Sequence, residues 1–127
     1  MADLGFRENV MGPQPIGKII EQPPEVREAA NRFIEALMRG DVAAAKAMTD
    51  PQAYDDLKTL ATAIAPRRYD NFEYIGSARV AKHFFLKVRL PGAPMVKFQF
   101  RLGQNAAGEW TMREANDLTG RRSAWSR

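Results

Sequence analysis

A chain of 127 residues with 45% apolar and 27% charged side chains has the size and balance of one globular domain, neither disordered nor fibrous. It has no cysteine, which excludes a disulfide framework, a thiolate metal site and a cysteine nucleophile. The net charge of +4 is polarised, with residues 1–66 summing to −3 and residues 67–127 to +7, so acidic helices are set against a basic second half.

No stretch approaches the ~20 consecutive apolar residues of a membrane helix. The N-terminus carries Asp3 and Glu8 and has no apolar signal core, so the expected location is the cytoplasm. Residues 1–24 are rich in turn formers, among them Gly12, Pro13, Pro15, Gly17, Pro23 and Pro24, and read as an extended arm.

The first helix starts at these prolines, because proline at the first helical position gives up an N–H that has no intrahelical partner anyway. Val26, Ala29, Ala30, Phe33, Ile34, Leu37 and Met38 recur at helical spacing, and Arg39-Gly40 stops the helix. Asp41 can cap a short second helix from Val42 to Met48. Asp50 then caps a third helix led by Pro51, with Tyr54, Leu57, Leu60, Ala61 and Ile64 on one face and Ala65-Pro66 at its end. The adjacent Asp55 and Asp56 point about 100° apart, cannot converge on one metal, and suit the positive helix end.

From Arg67 the period changes to two. Asp70–Val80 is β-rich. His83–Leu90 places Phe84, Leu86, Val88 and Leu90 on one side, Val96, Phe98, Phe100 and Leu102 repeat the pattern, and Trp110 and Met112 start a fourth strand. Connections this short force antiparallel neighbours. The expected architecture is α+β, with N-terminal helices packed on a curved four-stranded antiparallel sheet over residues 25–118, followed by a basic tail at 119–127.

The stretch Phe33-Ile34-Glu35-Ala36-Leu37-Met38-Arg39-Gly40-Asp41 resembles the F-x-x-A-L-x-x-G-D passage of NTF2-like (nuclear transport factor 2-like, cystatin-like α+β) domains. The resemblance spans roughly residues 25–118. It implies a sheet wrapped around the first helix as a cone with an internal pocket, and frequent homodimers through the sheet. The superfamily includes isomerases, dehydratases and cyclases as well as non-catalytic binding domains, so the resemblance implies a fold and no single function.

On that cone, Phe72, Tyr74, Phe84, Phe98, Phe100 and Trp110, with Asn116, would line a modest apolar pocket for a small apolar ligand, or else fill the core. Acid–base candidates are Tyr54, Tyr74 and Glu114, with Tyr69 and Asp70 nearby, and they form no recognisable motif. The single histidine, His83, has no second histidine for a metal site and reads as a strand-end residue. No glycine-rich phosphate loop is present, so no cofactor is expected.

Strand alternation places Lys87, Arg89, Lys97, Arg101 and Arg113 on the other sheet face, around Phe85. Like charges in register are unfavourable unless water or an acidic partner relieves them. That face therefore reads as a solvated surface or as a docking site for an acidic protein, nucleic acid or a second subunit. The expected function is a non-catalytic binding or interaction domain that forms a homodimer through the sheet. The alternatives are a small-molecule isomerase, dehydratase or cyclase with its pocket inside the cone, and an acidic or nucleic-acid partner on the basic face.

Overall fold

The computed structural model describes residues 22–65, 69–92 and 95–119. The expected arm therefore lies outside the described residues up to position 21, as does the tail from position 120. The three residues that end the arm are described, and the first of them is anchored: Gln22 is buried and donates its Nε2 to Ser77 Oγ at 2.9 Å. No described helix is long and apolar enough to cross a membrane.

Helix α1 spans Pro24–Arg39, with Glu25 in its first turn and Arg39 in its last. It ends where Gly40 adopts a φ of 75°, a left-handed conformation that costs glycine nothing. The Gly40 N–H then reaches Leu37 O at 3.1 Å and the Asp41 N–H reaches Ala36 O at 2.9 Å, which satisfies carbonyls the helix leaves open. Asp41 immediately caps α2 (Val42–Ala47) by accepting from the Ala44 N–H at 3.1 Å.

Two sequence expectations shift in the next segment. Helix α2 stops at Ala47 rather than Met48, because the chain there bonds to the last strand. The Met112 N–H donates to Met48 O at 2.8 Å and the Asp50 N–H to Met112 O at 2.9 Å, a short parallel bridge centred on Thr49. Pro51 then opens a 3₁₀ turn over Pro51–Ala53, closed by the Ala53 N–H to Asp50 O, and α3 begins only at Tyr54 and runs to Ile64. Leu57, Leu60 and Ile64 are buried as expected, whereas Tyr54 is 38% exposed.

The sheet is β1 (Glu73–Val80), β2 (His83–Leu90), β3 (Val96–Gln104) and β4 (Trp110–Asp117), antiparallel and in chain order. Phe84↔Leu102, Leu86↔Phe100, Val88↔Phe98 and Leu90↔Val96 pair on the face toward the helices. Bulges at Ile75 in β1 and at Arg113 in β4 break the register. A bulge bends its strand and also reverses which face the following residues occupy. The core forms where the buried side of α1 meets this face and α3 closes over β4.

Candidate functional site

The aromatics expected around an internal pocket mostly fill this core. Phe98 and Phe100 are essentially inaccessible, and Phe84 is buried. Phe33 of α1 sits 5.1 Å from Phe100, ring centroid to centroid, and Phe98 stacks on Phe100 at 6.0 Å. Trp110 lies edge-on to Phe84 at 5.7 Å and Phe72 edge-on to Tyr74 at 5.5 Å, both pairs at the margin of the core. Grooves lined by described residues open elsewhere on the molecule.

Asn116 and Glu114 are corrected by the β4 bulge. Simple alternation from Trp110 and Met112 would put both on the inner face. The extra residue at Arg113 reverses the parity, so Ala115 turns inward opposite Phe100, while Glu114 pairs with Arg101 and Asn116 with Gln99 on the outer face. Both are exposed there. Asn116 does not line an interior pocket, and Glu114 is not an interior acid.

Tyr74 sits in the seam between β1 and α1. Its hydroxyl donates to Asn31 Oδ1 at 2.6 Å, and the Arg27 guanidinium lies 5.6 Å from its ring centroid. Arg27 Nη1 also donates to Gln22 Oε1 at 3.4 Å, so Ser77, Gln22, Arg27, Tyr74 and Asn31 form one chain of polar contacts. Burial pushes the phenol up to about 12, with Arg27 opposing and Glu35 adding to the shift. A phenol so placed stays neutral at physiological pH and has already committed its proton. Asn31, Gln22 and Ser77 had no sequence signal, because each looks like an ordinary polar position until the register places it.

The outer sheet face is more self-contained than its sequence suggests. Arg89 pairs with Glu73, Arg101 Nε lies 3.2 Å from Glu114 Oε1, and Arg113 Nη2 lies 3.4 Å from Asp50 Oδ2. Lys87 is 3% exposed rather than solvated. Burial, with Lys97 adding to it, lowers its ammonium to about 8. Three of the five cations expected to await an anionic partner therefore meet acids of this chain, and a fourth is buried. That removes most of the unmatched charge on which the acidic-partner expectation rested.

His83 belongs to the same network. Its Nδ1 is 2.8 Å from Arg101 Nη1, so it accepts from the guanidinium, and its ring lies over Gly103 beside Arg113. Burial and the two guanidiniums, Arg101 before Arg113, hold it below the usual histidine range. It is a strand-end residue, as expected, with a neutral structural role. A shallow hollow nearby, lined by Phe85, Gln99, Arg101, Glu114 and Asn116, has a volume of about 40 Å³, room for little more than water.

Tyr54 lies on a third surface, at the start of α3, with the Lys46 ammonium 4.8 Å from its ring centroid. Both line a groove of about 510 Å³ between α2 and α3. Tyr54, Tyr74 and Glu114 are thus separated onto the helix layer, the α1–β1 seam and the outer sheet face. Tyr69 is buried and Asp70 exposed ahead of β1. Among the described residues no three His, Asp or Glu side chains are grouped to hold a metal ion.

No protein-family model matches the chain, and no curated protein matches its sequence. Solved structures do match. A ketosteroid isomerase-like protein from Erwinia carotovora atroseptica SCRI1043 superposes with a TM-score of 0.54 at 19% identity, over 74% of this chain and 94% of that one. A variant of the protein named Rd1NTF2_05 superposes with a TM-score of 0.54 at 14% identity, over 72% and 95%. At such identities the likeness concerns the fold: helices followed by a four-stranded antiparallel sheet in the NTF2-like arrangement.

Proposed function

We propose that this chain is a non-catalytic NTF2-like binding domain that pairs with a second copy of itself through the outer face of its sheet. The observation that carries this reading is the dispersal of Tyr54, Tyr74 and Glu114 over three surfaces. General acid–base chemistry needs groups within hydrogen-bond reach of one substrate. Here the Tyr74 hydroxyl is spent on Asn31 and the Glu114 carboxylate faces Arg101.

The outer face supports the pairing. Its ion pairs with Glu73, Glu114 and Asp50 offset most of its positive charge, so two copies can meet there without strong like-charge repulsion. Half-buried Phe85, flanked across the strands by Ala78 and Arg101, supplies an apolar centre. Sedimentation equilibrium of the full chain is expected to give twice the chain mass, and Phe85→Glu to give a monomer. A wild-type monomer at high micromolar concentration would defeat the pairing.

The competing reading is isomerase chemistry, the activity to which the name of the ketosteroid isomerase-like Erwinia neighbour refers. Its one foothold is the polar seam of Ser77, Gln22, Arg27, Tyr74 and Asn31. It requires Tyr74 to exchange its proton with a bound substrate, and the raised phenol works against that at neutral pH. Isomerase activity abolished by Tyr74→Phe in a folded protein would establish it.

A further inference from the structure

The groove between α2 and α3 is built from matched pairs of residues one helical turn apart. Val42 and Lys46 stand four apart on α2, and Tyr54 and Lys58 stand four apart on α3. Side chains at that spacing share a helix face, so each helix brings one apolar group and one ammonium to the same groove. Leu57 and Ala61, again four apart, lie between them with Thr62 and Ala65. Val42 and Tyr54 are 46% and 38% exposed, although both would gain by burial. The volume of about 510 Å³ falls within the range that small-molecule pockets occupy.

From this geometry we infer that the α2–α3 groove binds a small amphipathic carboxylate, its hydrocarbon body against Val42, Leu57, Ala61 and the Tyr54 ring and its carboxylate between Lys46 and Lys58. The charge selects the class. Among the described lining residues two ammonium groups face one carboxylate, Asp55, an excess of one positive charge that suits a monoanion. A phosphate dianion would be repelled by Asp55 and would find no guanidinium fork among the described lining residues. Lys46 is already held at the groove by the Tyr54 ring, so the cation is in place before the ligand arrives. The groove is separate from the outer sheet face, so this inference stands or falls independently of pairing through that face.

Octanoate titrated into the full ¹⁵N-labelled chain tests it. Amide shifts are expected to concentrate on Val42, Lys46, Tyr54, Leu57, Lys58 and Ala61. Methyl octanoate, which keeps the hydrocarbon and loses the charge, and octyl phosphate are each expected to bind roughly tenfold more weakly. Lys46→Gln with Lys58→Gln should weaken octanoate by a similar factor, and both positions are exposed, so the fold is not at risk. Ala61→Trp should fill the groove and abolish the shifts. Shifts confined to the sheet or to core residues such as Phe98 would overturn the assignment. So would equal affinity for octanoate and its methyl ester, or unchanged affinity in the double variant. Conversion of a dimer to a monomer by Ala61→Trp would also overturn it, by assigning the groove to a second copy of the chain.

Discussion

Asp56 Oδ2 accepts a hydrogen bond from the Ala115 backbone N–H at 2.9 Å, across 59 residues of sequence. A carboxylate of the first turn of α3 thereby satisfies a main-chain donor of β4, the strand that ends the sheet on that side. With the Thr49–Met112 bridge beside it, much of this edge is closed by the chain itself.

Asp56→Ala is expected to destabilise the domain by about 1–3 kcal/mol, since it removes a charge-assisted bond and strands a donor. Asp56→Asn keeps an acceptor and should cost less. Urea denaturation measures the loss, and hydrogen exchange at the Ala115 amide should accelerate selectively.

The β1–β2 hairpin turns on Ala81 and Lys82, and Ala81 holds a φ of 54°. An L side chain is strained there, and a two-residue loop of this kind prefers glycine at its first position. Ala81→Gly should raise stability by roughly 0.5–1 kcal/mol, the strain relieved being partly offset by the flexibility that glycine adds to the unfolded chain. A lowered melting temperature would contradict this account of the turn.

At Gly103 the lack of a side chain is required by space. A Cβ there would stand 2.6 Å from Arg113 Cδ and 2.7 Å from His83 Cδ2. Gly103→Ala should therefore push His83 off Arg101 and cost about 1–3 kcal/mol. Loss of the present surroundings should bring the His83 titration, followed by NMR, back toward its ordinary range.

Tyr74→Phe removes the hydroxyl bond to Asn31 and should cost about 1 kcal/mol at neutral pH. Because the folded phenol titrates near 12 and the unfolded one near 10, the unfolded chain loses its proton first. Wild-type stability attributable to this group should fall as pH rises from 10 toward 12, and Tyr74→Phe should lack that fall.

Lys87 acts with the opposite sign. Its folded value of about 8 lies below the ordinary 10.5, so between those limits the unfolded chain binds more protons. Its contribution to stability should rise with pH from 8 to 10.5, and Lys87→Gln should flatten that rise. Denaturation midpoints across this range, compared between variant and wild type, give the check.

What could be read from the sequence was whatever depends on local period and local stop signals. The alternation of His83–Leu90 marked a strand with the bounds it has, and Arg39-Gly40 marked the end of α1. What escaped depends on register. Glu114 and Asn116 took the wrong face because an extra residue at Arg113 leaves no trace in the pattern. The pairing of Arg89 with Glu73, and of Arg113 with Asp50, joins residues far apart in the chain, so a face that looked starved of counter-charge proved to supply its own. Tyr54 fits the apolar stripe of α3 yet lies at its edge, because the 3₁₀ turn of Pro51–Ala53 delays the start of that helix.

The bridge between Thr49 and Met112 also bears on the order in which the chain can fold as it is made. A nascent chain that has emerged only as far as Gly103 possesses its helices and most of its sheet. It still lacks the partner of Met48 and Asp50 and the amide that Asp56 receives. Those contacts span some sixty residues, and closing so long a loop is entropically costly until β4 arrives to reward it. β4 is thus the strand that locks the helices made before it in place.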